Sequence, residues 1–246
     1  MGKDKIADDF RTPDGVSADV VAFTMVPHEN VSVRRNLPDY ELKVFLVRSD
    51  KGMWKLPGQV IDRYVSLDDM ATDIVKELTL TTDPYIEYVG QCSDYTDDSG
   101  AWIIHHSFLS VIPYHQLDDF RRQDDPKSVD LFSIEQLDKL DIFPNHRKII
   151  DSVYEYLQRI ILITDIAKYF LTDTFTIAEL VRNLQVVAPN FKPDNVHQKF
   201  LKTSKRGGIL EGVIDAEGVH LKSDKYSQRS ALLFRFSGQT PELSIY

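Results

Sequence analysis

Alternating apolar and polar positions mark the first half of the chain as sheet, and a change to helical spacing marks the second half. Residues 19–26 and 41–48 are rich in valine and phenylalanine and predict two paired strands, separated by a polar loop with Arg34, Arg35 and Pro38. Residues 54–56 form a short third strand, and Gly58 after Pro57 is a turn signal. The next segment carries Leu67, Met70, Ala71, Ile74 and Leu78 at the spacing of one buried helical face, with Asp69, Asp73 and Glu77 on the other. Residues 85–92, 102–112 and 128–132 read as further strands, and SDYTDDSG at 93–100 as an acidic turn. Its Asp94, Asp97 and Asp98 suit turn formation better than cation binding. His105 and His106 are neighbours in a strand and so point to opposite faces; they cannot share one metal ion, and one of them is expected to be a satisfied core or edge histidine.

From His146 the period is that of a helix. Ile149, Ile150, Val153, Tyr156, Leu157, Ile160 and Ile161 make a broad apolar stripe, with a bend expected near Thr164. Such a stripe fits a connector packed on the first domain as well as a dimerisation helix. Thr176 and Glu179 then form a capping box ahead of an apolar run, which predicts a helix start. A second helix starts at Pro193, where the missing amide donor is not needed. Val196, Phe200 and Leu201 form its apolar side, and Asn195, Gln198, Lys199 and Lys202 its polar side. Gly207-Gly208 ends it, and residues 209–213 and 231–236 read as a β-ribbon around a long loop with Lys222, Lys225 and Arg229. Helix, turn, helix and ribbon is the order of a winged helix-turn-helix, whose second helix enters the DNA major groove.

Composition narrows the class. A 246-residue chain with 42% hydrophobic residues has enough apolar material for one large or two modest cores. A single cysteine, Cys92, excludes an internal disulfide, and the charged start MGKDKIADDF is unlike a signal peptide; together these imply a cytoplasmic protein without a membrane span. Residues 1–15 are polar and expected to be loosely ordered. The net charge of −9 is unevenly spread: residues 160–246 hold 11 basic against 9 acidic residues, and 192–206 hold five basic residues against Asp194 alone. A local basic stretch on an acidic chain is what phosphate contact requires.

The segment 54–80, WKLPGQVIDRYVSLDDMATDIVKELTL, resembles the Nudix box G-x5-E-x7-R-E-U-x-E-E-x-G-U. Aligned on Gly58, the pattern puts Tyr64 at the first glutamate, Thr72 at the arginine, Lys76 at one of the paired glutamates and Thr79 at the second glycine. Gly58, Asp73 and Glu77 are the remnants. The family's chemistry holds Mg²⁺ on carboxylates, and the Lys76 ammonium opposes a cation there. With the C-terminal segments FTIAELVRNL, FKPDNVHQKFLKTSKRGGILE and LLFRF, the chain is similar to the Nudix-related transcriptional regulators, which include NrtR repressors of NAD metabolism and AraR regulators of sugar use.

That resemblance implies an α+β protein: a Nudix-type α/β/α sandwich with a mixed sheet at 16–145, connector helices at 146–170 and a winged helix-turn-helix at 171–246. It implies a dimeric, ligand-responsive regulator that binds a DNA operator and senses a nucleotide-type metabolite such as ADP-ribose without catalysis. No cofactor or resident metal is required; Mg²⁺ would enter only with residual hydrolase activity. Recognition-helix positions fall to Asn195, Gln198, Lys199 and Lys202, with base contacts from the amides and backbone contacts from the lysines; Lys192, Lys205 and Arg206 fall on phosphates, and Arg229 in the wing. His197 and Gln198 stand where paired basic residues are common in the family, which implies a different operator. Arg48, Trp54, Lys55 and Gln59 would line the effector entrance, with Asp73 and Glu77 at its floor. Two rivals stand beside this reading: a Mg²⁺-dependent pyrophosphohydrolase of ADP-ribose or a related nucleoside diphosphate, and a binding module whose C-terminal domain contacts protein.

Overall fold

The structure is a computed structural model that describes residues 12–28, 39–62, 64–79, 82, 84–96, 101–117, 129–196, 200–201, 209–224 and 230–238. Strands β1 (Gly15–Pro27), β2 (Tyr40–Arg48), β3 (Trp54–Lys55), β4 (Gly58–Val60), β5 (Tyr85–Thr96), β6 (Ala101–Val111) and β7 (Val129–Ser133) form a seven-stranded mixed sheet. Its centre is β1, parallel to β6 on one edge and antiparallel to both β2 and β4 on the other.

Strand alternation divides β1 between two cores. Ala18, Val20 and Ala22 pack with Phe45 and Phe108 against Met70, Ala71, Val75 and Leu78 of helix α1 (Leu67–Thr79). Val21, Phe23 and Met25 face the other way, onto Ile150, Val153 and Leu157 of helix α2 (Pro144–Ile160). The sheet is therefore covered on both faces, as the α/β/α reading requires. Pro144 occupies the first turn of α2, where a proline costs no hydrogen bond.

The α2-side core does not stop at the sheet. It continues through Ile166, Ala167 and Phe170 of a 3-10 turn into Phe175, Leu180, Leu184, Val196 and Phe200 of the C-terminal part. There β8 (Phe175–Thr176), helix α3 (Ile177–Val187), β9 (Leu210–Gly212), β10 (Lys222–Ser223) and β11 (Ala231–Phe236) follow one another. β11 pairs with β8, β9 and β10, all antiparallel. The capping box at α3 is present: the Thr176 amide donates to Glu179 Oε2 at 2.7 Å, and the Glu179 amide to Thr176 Oγ1 at 3.3 Å. Val196 and Phe200 are fully buried, as the apolar side of the second helix predicts.

Several local expectations are corrected. Gly58 is no turn residue; it lies within β4, opposite Asp19. Ser93 to Thr96 extend β5 and pair with β6, so the acidic turn is shorter than its composition suggests, and Asp97 and Asp98 lie outside the described residues. The chain bends at Thr164 as expected, but α2 has already ended at Ile160, and Thr164 Oγ1 donates to the Ile160 carbonyl at 2.8 Å and satisfies that end. The ribbon loop is itself ordered at 214–223: Asp215 Oδ1 accepts from the Glu217 and Val219 amides, Gly218 takes φ +83, and β10 returns to β11. Glycine there avoids the Cβ clash of a left-handed backbone.

Candidate functional site

On α1 the structure presents Asp69, Asp73, Lys76 and Glu77 to solvent. Asp69 is occupied by the helix start: Ser66 Oγ donates to Asp69 Oδ2 at 2.7 Å and accepts the Asp69 amide at 3.1 Å. Thr72, at the arginine position of the motif, turns its hydroxyl back to the Asp68 carbonyl at 2.8 Å. Tyr64, at the first glutamate position, is 84% exposed and has no carboxylate. Among the described residues the α1 carboxylates join no group of three metal-donor side chains.

Of the four expected entrance residues, Arg48, Trp54 and Lys55 lie on the paired strands β2 and β3, and Gln59 lies on β4. Arg48 and Trp54 are register partners on β2 and β3, with the guanidinium carbon 5.6 Å from the indole centroid. Trp54 is fastened from behind: its amide donates to the Asp141 carbonyl at 2.8 Å, its carbonyl accepts the Phe143 amide at 3.0 Å, and its ring meets Phe132 edge-on at 4.7 Å. Lys55 follows on β3 and its charge acts on His146. Gln59 pairs with Ala18 and so belongs to the α1 face, whereas Trp54 packs into the α2-side core. Gly58, Asp73 and Glu77 are likewise apart: the glycine is clamped in the sheet and the two carboxylates are on the exposed helix face.

In the C-terminal part Lys192 is exposed and Asn195 half-buried. The helical turn begins as expected, with the Asn195 amide on the Lys192 carbonyl and the Val196 amide on the Pro193 carbonyl, both at 3.0 Å. Gln198, Lys199, Lys202, Lys205, Arg206 and Arg229 lie outside the described residues.

A second polar constellation was not anticipated. Ser17 and Asp19 on β1, His105 on β6 and His146 on α2 converge on the α2 face of the sheet. The parallel register sets Ser17 opposite His105. Ser17 Oγ donates to Asp19 Oδ2 at 2.6 Å, His105 Nδ1 lies 2.8 Å from the same oxygen, and Ser17 Oγ is 3.0 Å from His105 Nδ1. Asp19 and His105 are 3% and 5% exposed, so neither reaches bulk water. His105 Nε2 is buried with no hydrogen-bond partner among the described residues. Such an atom costs about 1–3 kcal/mol if nothing meets it.

His146 completes the group from above. Its Nδ1 accepts the Leu56 amide at 3.2 Å, and its ring stands edge-to-face to His105 at 5.7 Å. Burial pulls its pKa from 6.5 down to about 4; the Asp19 charge opposes that, while His105 and Lys55 add to it. The imidazole is therefore neutral near pH 7. Asp19, His105 and His146 each place one donor atom within 4.8 Å of the other two. Gly58 permits the arrangement from the strand beside it: a Cβ there would fall 2.2 Å from Asp19 Oδ1 and 2.9 Å from the Ala18 carbonyl. The sequence does carry a trace of this group, a carboxylate at Asp19 inside the apolar run ADVVAFTMV, but nothing in it pairs that carboxylate with residues 86 and 127 positions away.

No protein-family model matches the chain, and no curated protein is similar to it in sequence. Among solved structures, Shewanella oneidensis NrtR complexed with a 27mer DNA is 22% identical, with a TM-score of 0.67 over 90% of this chain and 93% of that one. NrtR of the same organism, in a further crystal structure, gives 20% identity and a TM-score of 0.68 over 90% and 94%. A MutT/nudix family protein from Enterococcus faecalis gives 17% identity and 0.64 over 92% and 89%. The shared property is the fold, a Nudix-type domain followed by a C-terminal domain, along nearly the whole chain.

Proposed function

We propose that the chain is a DNA-binding transcriptional regulator whose Nudix-type domain senses a nucleotide-type metabolite, such as ADP-ribose, without hydrolysing it. The observation that carries this reading is the C-terminal unit of β8, α3, a second helical turn and a three-strand ribbon, built into the same apolar core as the Nudix-type sheet. Its order is that of a winged helix-turn-helix, and the basic stretch 192–206 falls where such a fold meets DNA. The NrtR structure with DNA, whose fold this chain shares, supports the same reading. Residues 16–145 would then form the sensor and 171–246 the DNA reader, joined by 146–170, in a cytoplasmic homodimer that needs no cofactor.

Asn195 and Gln198 would read base edges, Lys199 and Lys202 of the same helix would contact the backbone, with Lys192, Lys205 and Arg206 on phosphates and Arg229 in the wing. The effector would enter beside Arg48, whose guanidinium suits a phosphate and whose Trp54 partner offers a ring face. From there a physical route leads to the DNA reader. Trp54 is hydrogen-bonded to residues 141 and 143, α2 starts at Pro144, and Tyr154 and Gln158 of α2 donate to the Val187 carbonyl at the end of α3. An effector acts on DNA affinity only if it binds two arrangements of this route unequally.

The test is titration of the full chain against the DNA upstream of its own gene, at two salt concentrations, with and without ADP-ribose. Specific binding that weakens steeply with salt and changes with the nucleotide is expected. Replacing Lys202 with alanine should weaken binding at every sequence and reduce the log–log salt slope by about 1. Failure to retain any fragment in a genome-wide selection, together with metal-dependent release of AMP from ADP-ribose, would replace the regulator by a hydrolase.

A further inference from the structure

We propose that Asp19, His105 and His146 form a binding site for one divalent transition-metal ion of the zinc class, distinct from the carboxylate face of α1. Three observations converge on it. Two imidazoles and a carboxylate are the donor set that zinc and its neighbours prefer, whereas Mg²⁺ and Ca²⁺ take oxygen donors. The three donor atoms already lie within 4.8 Å of one another. A tetrahedral ion with metal–ligand distances of about 2.0–2.1 Å sets its ligands roughly 3.4 Å apart, so closure requires side-chain shifts of the order of 1 Å. Finally, Asp19 and His105 are 3% and 5% exposed, and a carboxylate buried to that degree calls for a positive partner.

The nitrogen of His105 beside Asp19 is Nδ1, 2.8 Å from Oδ2, so ligation next to that carboxylate would use Nδ1 and release the proton shared between them. In His146 the lone pair is on Nδ1, which accepts the Leu56 amide at 3.2 Å; the ion would take that lone pair in the amide's place. Ser17 is a positioning residue: it contacts both Asp19 and His105 and contributes no further donor to the set. Asp19 supplies the negative charge that offsets part of the ion's own. The site joins β1, β6 and the first turn of α2, so an ion there would tie the connector helix to the sheet.

The experiment uses the untagged full-length chain, stripped with a chelator and titrated with Co²⁺. One equivalent is expected to bind with the visible absorption of a low-coordinate cobalt site, to be displaced by Zn²⁺ and not by Mg²⁺, and Zn²⁺ is expected to raise the melting temperature. His146→Gln and His105→Gln should each weaken binding by at least 100-fold, and Ser17→Ala by about 10-fold. Asp73→Asn/Glu77→Gln should leave it unchanged. If His105→Gln does not fold, His146→Gln decides, because that side chain is half-buried and lies at a helix start. Absence of one-to-one binding, binding undiminished in His146→Gln, or loss of binding in the α1 double variant would each overturn the proposal. None of these readouts depends on DNA or on the nucleotide.

Discussion

The two faces of the central sheet are built to different rules. Under α1 a small apolar core is closed off, and the helix turns its charged residues to water. Under α2 the core runs on without interruption into the C-terminal part, and a polar group is buried at its edge. The first face carries one helix with its charged residues turned outward; the second couples two parts of the molecule. Side chains that face water can change without harm to the fold, and those shared between two packed units cannot.

The largest effect that tests this contrast is expected in the shared core. Phe175 is 1% exposed and its ring lies 5.3 Å from that of Phe236. Phe175→Ala should cost about 3–5 kcal/mol in chemical denaturation and lower the stability of both parts in one transition. Two separate transitions would break the comparison.

His146 gives the next effect. Its pKa falls from 6.5 to about 4 in the fold, so between those values the unfolded chain binds the proton and the native one does not. Stability from this group is complete above pH 6.5 and is lost as the pH falls toward 4, by up to about 3 kcal/mol. Denaturation midpoints measured in chelator should show that slope, and His146→Gln should flatten it.

Gly58→Ala should cost about 1–3 kcal/mol, because the new methyl meets Asp19 Oδ1 and the Ala18 carbonyl. The penalty should shrink in combination with Asp19→Ala, which removes one of the two clashes; additivity of the two changes would show that the glycine serves something else. Smallest of all, Asp73→Asn and Glu77→Gln on the exposed face should shift stability by less than about 0.5 kcal/mol, read as a melting temperature.

Much of this was legible from local pattern. The period-2 runs located the strands, the spacing of Leu67, Met70, Ala71, Ile74 and Leu78 located α1, and Thr176 with Glu179 marked the start of α3. Each signal is local, because a helix cap or an apolar face is decided by residues within a turn or two of one another. The role of Gly58 was misread for the opposite reason. A glycine before a polar stretch looks like a turn, yet its function here is to let a strand approach a buried carboxylate on another strand.

The sequence by itself determined which segments are strand or helix, which side of each is apolar, and that basic residues gather between 192 and 206. Only the tertiary structure decided that Asp19, His105 and His146 meet and that Trp54 is pinned to the start of α2. It also decided that one core serves both parts of the chain. The physical reason is register: a strand's period states which face a residue takes, whereas its partner across the sheet depends on how distant segments slide past one another until both cores are filled.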